Sequence, residues 1–203
     1  MSHPTILTLV GASQPAVVAR NGTALLVIDF QNEYFTGRMP IPDGLPALHN
    51  ANRLIAMADR HGMPVYHVQH VNPAGAPVFA EDSPTVEFHA AIRPAPHHHV
   101  VRKSNVSVFQ GTDIAQQLKA GGIETVIVAG LMTHACVAGA ARDAAPAGFE
   151  VIVASDASAT RDIDSPAGGT VAHTALHAAS LVTVADTFGA VMSTDAILEL
   201  HTR

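Results

Sequence analysis

Short apolar runs, rich in valine, isoleucine and other β-branched residues, alternate along the chain with longer segments in which apolar residues recur every three or four positions. The short runs predict strands, and the longer segments predict amphipathic helices. The first run is continuously apolar and ends in a carboxylate, which is typical of a strand covered on both faces. The six predicted strands are Ala24–Asp29, Val65–Gln69, His99–Arg102, Thr125–Ala129, Glu150–Ala154 and Leu181–Val184.

Helices are predicted between these strands, and their alternation with strands indicates βαβ units and a parallel sheet. No linker separates the elements, so the pattern favours one α/β domain. Residues 72–97 are rich in proline, glycine and alanine and predict a long loop, which at that length is usually functional or disordered. The predicted helices span about 46–61, Thr112 or Asp113 to about 121, Thr133–Ala147, about 168–180 and Thr194–Leu200.

Composition excludes several classes of function. The net charge is −6 with only 11 Lys and Arg among 203 residues, so no basic face is expected for nucleic acid. A single cysteine excludes an internal disulfide framework and favours a reducing compartment. The first ten residues lack a basic segment followed by a long apolar run, and no stretch is long enough to cross a membrane. We expect a soluble, cytoplasmic protein that acts on a small molecule.

Three reactive side chains stand at predicted strand ends. Asp29 closes the first strand, Lys103 follows the third, and Cys136 follows the fourth. Each has a simpler interpretation: Asp29 as a cap for the next segment, Lys103 as a solvated surface charge, and Cys136 as a small buried apolar residue. Because ligands of open parallel sheets bind outside the carboxyl ends of the strands, the three groups would converge in one crevice if their strands are neighbours. A carboxylate, an ammonium and a thiol together permit nucleophilic acyl chemistry.

Residues 126–137 predict an apolar strand, a glycine turn and the start of a helix, and Cys136 lies in the helical part. The first N–H groups of a helix have no intrahelical partner and favour negative charge. The position therefore predicts a thiol shifted toward thiolate, with backbone donors nearby for an oxyanion.

Several segments, in the same order, resemble the isochorismatase-like cysteine hydrolases, which include nicotinamidases and N-carbamoylsarcosine amidase. Residues 26–35 (LVIDFQNEYF) resemble the family's strand-Asp-x-Gln-Asn-Asp-Phe opening. Residues 101–113 (VRKSNVSVFQGTD) resemble its lysine segment, and residues 129–137 (AGLMTHACV) resemble its Gly-x-x-Thr-x-x-Cys-Val core. Residues 141–144 and 155–160 also fit, so the resemblance runs from about residue 22 to about residue 200.

The resemblance implies a single-domain, three-layer Rossmann-like fold over residues 23–203, with a six-stranded parallel sheet and helices on both faces. Residues 1–22 then form an N-terminal extension, whose apolar stretch at 5–10 is expected to add a strand or pack across a subunit contact. By the same resemblance, Asp29, Lys103 and Cys136 form a catalytic triad. A cis peptide at Leu131–Met132 is implied, with the N–H groups of Met132 and Cys136 forming the oxyanion hole. Homo-oligomerisation is implied as well.

Departures from subfamilies narrow the expected chemistry. Metal-dependent nicotinamidases carry an Asp-x-His pair and a further histidine after the second strand, where this chain has His70, Asn72 and Ala76. Only one of these binds a transition metal readily, so neither a metal nor another cofactor is expected. True isochorismatases, which cleave a vinyl ether, lack the cysteine, so Cys136 favours hydrolysis of C–N bonds. The run His97–His99 is not expected to chelate one ion, because neighbouring residues on a strand alternate faces.

The substrate-binding residues are less constrained. Phe30, Phe35 and His134 are candidates for the pocket, although the phenylalanines are equally consistent with the core and His134 with a position in the first helical turn. The hypothesis is a cysteine hydrolase that acts on a small amide, imide, lactam or carbamoyl compound through a thioester. The alternatives are a catalytically silent binding or scaffold protein of the same fold and a vinyl-ether hydrolase.

Overall fold

Six strands pair side by side in one sheet, and all of them are parallel. The computed structural model describes residues 2–12 and 15–202. In those ranges the strands are β1 Val17–Val18, β2 Thr23–Ile28, β3 Val65–His70, β4 His99–Lys103, β5 Thr125–Leu131, β6 Glu150–Ala159, β7 Ile163–Asp164, β8 Thr170–Val171, β9 Ala190–Met192 and β10 His201–Thr202. The main sheet has the strand order β4-β3-β2-β5-β6-β9, and the two short pairs β1–β10 and β7–β8 lie outside it.

Helices cover both faces of the sheet, as expected. The α-helices are α1 Ile6–Leu9, α2 Gly44–His61, α3 Ile114–Ala120, α4 Ala138–Ala144, α5 His173–Thr187 and α6 Thr194–Leu198. Short 3₁₀ turns lie at Arg20–Gly22, Asn32–Tyr34, Pro84–Val86 and Ala90–Ile92, and a π turn lies at Thr133–Val137. None of the helices in the described ranges is long and apolar enough to span a membrane.

Two apolar cores sandwich the sheet and make it a three-layer α/β fold. On one face, Leu25 and Ile127 pack with Leu54 of α2 and Ile197 of α6. On the other face, Leu26 and Val128 contact the side chains of α3, α4 and α5. Every residue of β2 is buried, which explains why its sequence is an unbroken apolar run.

The sixth strand was predicted at the wrong place. Leu181–Val184 lies inside α5, and the edge strand is β9, Ala190–Met192. The alanine-rich segment before this run continues as one helix, so helical context overrides the β preference of two valines and a threonine. Gly189 marks the real boundary, because a Cβ there would lie 2.4 Å from the carbonyl oxygen of Val151 on the neighbouring strand.

Two other segments differ from expectation in detail. The segment expected as one helix over Thr133–Ala147 begins with a π turn, and α4 ends at Ala144. The apolar stretch at 5–10 forms α1 rather than a strand, and the backbone N–H of Ile6 donates to Asp186 of α5 at 2.9 Å. Leu9 and Val10 remain 71% and 72% exposed, so the apolar character of this segment is not used within the described chain.

Candidate active site

Asp29 is placed by a sharp turn at the end of β2. Its N–H still donates to Val68 of β3 at 3.0 Å, but its φ of 54° leaves the strand conformation. A non-glycine residue at positive φ is uncommon and is tolerated where the surroundings fix it. The carboxylate is fully buried, so it requires a counter-charge.

Lys103, the last residue of β4, supplies that counter-charge. Its Nζ lies 2.7 Å from Asp29 Oδ2, and neither side chain has any exposed surface. The same Nζ lies 3.4 Å from Cys136 Sγ and 2.9 Å from His70 Nδ1. Burial alone would lower the pKa of Lys103, but the charges of Asp29 and Cys136 raise it above its usual value. The lysine is therefore a permanent ammonium, not a surface charge.

Cys136 lies in the π turn Thr133–Val137, which we call the nucleophile turn. The turn follows β5, and the peptide bond between Leu131 and Met132 is cis. The approach of β5 to β2 depends on Gly130, since a Cβ there would lie 2.5 Å from the carbonyl oxygen of Ile28. The structure thus brings together Asp29, Lys103 and Cys136, the three side chains that the sequence placed at strand ends.

The protonation state of the thiol differs from expectation. Burial, followed by the Asp29 charge, raises the pKa of Cys136 to about 12, although Lys103 acts in the opposite direction. Only 5% of the residue is exposed, so loss of hydration outweighs the favourable charge of the lysine. The thiol therefore holds its proton at neutral pH, and its pKa is shifted in the opposite direction from the one that its place after the strand predicted. A base must therefore remove the proton during the reaction.

The residues predicted to bind substrate have different surroundings. Phe30 is 1% exposed and packs within the core on the α2 side of the sheet. Phe35 is half-buried, with its ring centroid 4.4 Å from that of His89. His134 is half-buried in the nucleophile turn, and its Nδ1 lies 2.6 Å from Thr160 Oγ1. Only His134 shares an element with Cys136.

A cavity of about 130 Å³ lies beside the nucleophile turn. Two of its lining residues bond to the turn itself: Thr160 to His134, and His177 to Thr133 at 2.8 Å between Nδ1 and Oγ1. The remaining lining residues are Asp43, Ser158, Ala159, His173 and Thr174. This cavity gives the turn a neighbouring space for part of a small molecule.

Two further polar residues of the site were missed by sequence reasoning. Tyr34 is 2% exposed. Burial, followed by the charges of Cys136 and Asp29, raises its pKa well above the usual value, and the charge of Arg161 acts in the opposite direction. Burial, followed by the charge of Arg161, lowers the pKa of His134. The Arg161 guanidinium is therefore within electrostatic reach of both Tyr34 and His134. The nearest signal in the sequence was the segment 155–160, which ends one residue earlier.

Glu33 has a structural role. Its Oε1 accepts the backbone N–H of Arg38 at 2.7 Å, and its Oε2 accepts the hydroxyl of Thr85 at 2.5 Å. The carboxylate thus ties the long loop to the segment that follows Asp29. That loop is built from turns, and its Phe79 packs on both Tyr34 and His70.

Two groups of side chains have the residue types of a metal site. Asp29, His70 and Cys136 lie close together, but the ammonium of Lys103 bonds to all three. The second group was not expected: His97 and His98 do converge, each with Nε2 3.0 Å from Asp59 Oδ1. However, His98 Nδ1 accepts the backbone N–H of Ala95 at 3.1 Å. The ring hydrogen of His98 is therefore on Nε2, which leaves that atom no lone pair for a metal.

Comparison with known proteins identifies the family of this chain and several of its relatives. A family model described as the isochorismatase domain matches residues 23–196. The chain is 31% identical over 179 residues to a secreted isochorismatase effector of Verticillium dahliae, covering 88% of this chain and 92% of that protein. It is 33% identical over 157 residues to maleamate amidohydrolase of Pseudomonas putida, covering 70% and 74%. The crystal structure of a cysteine hydrolase from Pseudomonas syringae matches with a TM-score of 0.87 at 25% identity, covering 98% and 97%.

Proposed function

Because the chain belongs to the isochorismatase family, we propose that it is a cysteine-dependent hydrolase that cleaves a C–N bond of a small amide, imide, lactam or carbamoyl compound. One observation carries the proposal: Asp29, Lys103 and Cys136 meet at the carboxyl ends of three strands and bond through a single buried ammonium. A carboxylate and an ammonium without exposed surface are costly to bury, so an inert protein would have little reason to keep them beside a thiol.

The first half of the reaction forms a thioester. Cys136 Sγ attacks the substrate carbonyl carbon while Asp29 takes the thiol proton, which the raised pKa of Cys136 makes necessary. The carbonyl electron pair moves to oxygen, and the N–H groups of Met132 and Cys136 stabilise that oxyanion. When the oxyanion collapses, the C–N bond breaks and Asp29 transfers its proton to the leaving nitrogen.

The second half releases the acid. Asp29 removes a proton from water, the hydroxide attacks the thioester carbonyl, and the C–S bond breaks. The sulfur then recovers a proton from Asp29, which restores the resting state. Lys103 keeps its proton throughout, because its three N–H groups already have acceptors in Asp29, Cys136 and His70. Its role is therefore to hold the charges in place, not to orient the water.

Arg161 supports a narrower substrate class, amides that also carry an acid group. Its Nε is buried and has no hydrogen-bond partner among the described residues, and its Nη1 donates to the carbonyl of Asp162 at 3.1 Å. Within residues 2–12 and 15–202, no carboxylate lies within ion-pair distance of it. A guanidinium that is within electrostatic reach of Tyr34 and His134 and has no counter-charge favours a substrate that brings one. The similarity to maleamate amidohydrolase agrees with this proposal.

Turnover of a substrate panel tests the proposed reaction. Wild type and Cys136→Ala are assayed with neutral amides, amide acids, imides, lactams and carbamoyl compounds, with and without a chelator. Ammonia release and mass spectrometry follow the products, since ring opening releases no ammonia. We expect turnover that survives the chelator and disappears in Cys136→Ala. Loss of turnover with the chelator, or turnover that persists in Cys136→Ala, would refute the cysteine mechanism. If no compound in the panel is turned over, the result favours the catalytically silent binding protein.

A second comparison tests the role of Arg161. Arg161→Gln should lower kcat/KM for amide acids about tenfold or more, because a charge-assisted hydrogen bond contributes about 1.5–3 kcal/mol. Neutral amides should lose less. Arg142→Gln is the matched control, because Arg142 is exposed, stacks on Phe188 and donates to Thr183. Equal losses for acidic and neutral amides in Arg161→Gln would refute an acid subsite.

Location and assembly belong to the same proposal. We propose a cytoplasmic protein, because the mechanism needs its single cysteine as a free thiol. We also propose a homo-oligomer, because α1 exposes Ile6 and Leu9, its C-cap residue Val10 is exposed, and α5, on which α1 docks, exposes Val182. A monomeric mass in analytical ultracentrifugation would refute the oligomer.

A further inference from the structure

Strand order places a residue between the members of the triad. Asp29 follows β2 and Lys103 ends β4, but β3 lies between those two strands. The last residue of β3 is His70, which pairs in register with Lys103. The lysine side chain therefore reaches Asp29 past the end of β3, and whatever side chain stands there meets the ammonium.

Lys103 Nζ has three close partners. An ammonium has three N–H donors and no acceptor. Its partners are Asp29 Oδ2 at 2.7 Å as an ion pair, and His70 Nδ1 at 2.9 Å and Cys136 Sγ at 3.4 Å as hydrogen-bond contacts. The ammonium thus has as many partners as it has N–H donors, and His70 is the uncharged nitrogen among them.

The hydrogen-bond pattern fixes the state of His70. Since Lys103 is charged, its Nζ donates and His70 Nδ1 accepts, which places the ring hydrogen on Nε2. That nitrogen lies 3.3 Å from Asn72 Oδ1. The backbone N–H of His70 donates to Gln31 Oε1 at 2.8 Å, and the ring packs on Phe79 with 4.9 Å between centroids. A neutral imidazole is held here in one orientation.

We propose that His70 is a positioning residue, a neutral acceptor that takes the third N–H of Lys103 and so keeps the other two directed at Asp29 and Cys136. The proposal rests on the proposed hydrolase function. Without this acceptor, the ammonium is free to rotate and one of its hydrogens loses its partner. The carboxylate and the thiol then lose the fixed charge between them.

The proposal predicts a pH dependence. The groups that face the imidazole are Lys103, Asp29, Cys136 and Asn72, and Lys103 is the only cation among them. A protonated His70 has no acceptor for the ammonium and repels it, so activity falls as His70 gains a proton. Burial, followed by Lys103, lowers the pKa of His70, which keeps the neutral form at neutral pH.

Two variants separate positioning from packing. His70→Leu keeps the approximate volume without an acceptor, whereas the Oδ1 of His70→Asn can stand where Nδ1 stands. We expect His70→Leu to lower kcat about 10–100-fold with a smaller change in KM, the size seen for the outer-shell partners that orient metal ligands. His70→Asn should recover most of kcat and lack the contribution of His70 to the acid limb of the pH profile. His99→Leu is the control, because His99 is exposed and stacks on Tyr66.

A His70→Leu variant with the kcat of wild type would overturn the proposal. The proposal would also be overturned if His70→Leu and His70→Asn lose kcat equally while their thermal stabilities are equal. A wild type that turns over no substrate refutes the proposed function instead. The thiolate absorbance of Cys136 then decides the role of His70. His70→Leu should raise the pH at which the thiolate forms, and His70→Asn should leave that pH unchanged. An unchanged pH in His70→Leu would overturn the positioning role of His70.

Discussion

Removal of the lysine from the buried ion pair should destabilise the whole fold. Lys103→Met keeps the length of the apolar stem but leaves the Asp29 carboxylate, which has no exposed surface, without its partner at 2.7 Å. Removing one member of a buried pair costs about 3–5 kcal/mol, because the remaining charge stays desolvated. For a chain of this size each kcal/mol lowers Tm by about 2–4 °C, so we expect a fall of about 6–20 °C.

The loss should depend on pH in a defined direction. In Lys103→Met, the unpaired carboxylate holds its proton more tightly when folded than when unfolded. The unfolded state therefore releases that proton first as the pH rises, and the destabilisation grows above the usual aspartate pKa. At lower pH the folded carboxyl is protonated and the variant approaches wild type. Urea unfolding at several pH values measures this directly.

A double variant supplies the decisive comparison. Asp29→Asn with Lys103→Met removes both charges and should be more stable than Lys103→Met alone. Lys119→Met is the matched control, because Lys119 is exposed, and it should change the free energy of unfolding by no more than about 0.5 kcal/mol. A Lys103→Met protein within about 1 kcal/mol of wild type, or a double variant with no recovery, would refute the reasoning about the buried pair.

Three further predictions follow from single residues. In a difference titration against Cys136→Ala, thiolate absorbance should appear only far above neutral pH, and Asp29→Asn should lower that pH because the carboxylate charge is gone. Burial, followed by the charge of His98, lowers the pKa of His67 to about 4. As the pH falls, His67 therefore gains a proton in the unfolded state before it does so in the folded state. Stability should fall by about 3 kcal/mol between pH 6.5 and pH 4, and His67→Phe should remove this slope in urea titrations. Gly130→Ala should lower Tm and abolish turnover together, because the added Cβ would lie 2.5 Å from the carbonyl oxygen of Ile28. Loss of turnover with an unchanged Tm would contradict this steric explanation.

The sequence predicted the location of the triad because location follows from topology. One apolar run ends in Asp29, and another is followed by Lys103. Each side chain therefore lies at the carboxyl edge of a parallel sheet, whatever the order of the strands. The order itself was not predictable from those runs. It places β3 between β2 and β4, and therefore adds His70 to the triad as a contact of Lys103.

The errors have two physical causes: burial is a property of the folded chain, and the secondary structure of a short run depends on its flanking residues. The position of Cys136 predicted a thiol pKa shifted toward the thiolate, but desolvation raises that pKa. The β-branched run Leu181–Val184 predicted a strand, but the helix continues through it to Thr187. The edge strand Ala190–Met192 is only three residues long, too short for its pattern to be recognised without its neighbours.

Charge balance connects the proposed reaction to the surroundings of the triad. At rest, the carboxylate of Asp29, the ammonium of Lys103 and the neutral thiol sum to zero. When Asp29 takes the thiol proton and the substrate oxygen becomes an anion, the sum is still zero, and it returns to the resting set when the amine leaves. A buried site of low dielectric strongly favours such a path, and it requires His70 to stay neutral, because an imidazolium would add a charge that nothing cancels. Arg161 lies outside the triad and has no ion-pair partner among the described residues. A substrate with one acid group would cancel the charge of Arg161 and leave the path at the thiol unchanged, which is why we propose amide acids over neutral amides as substrates.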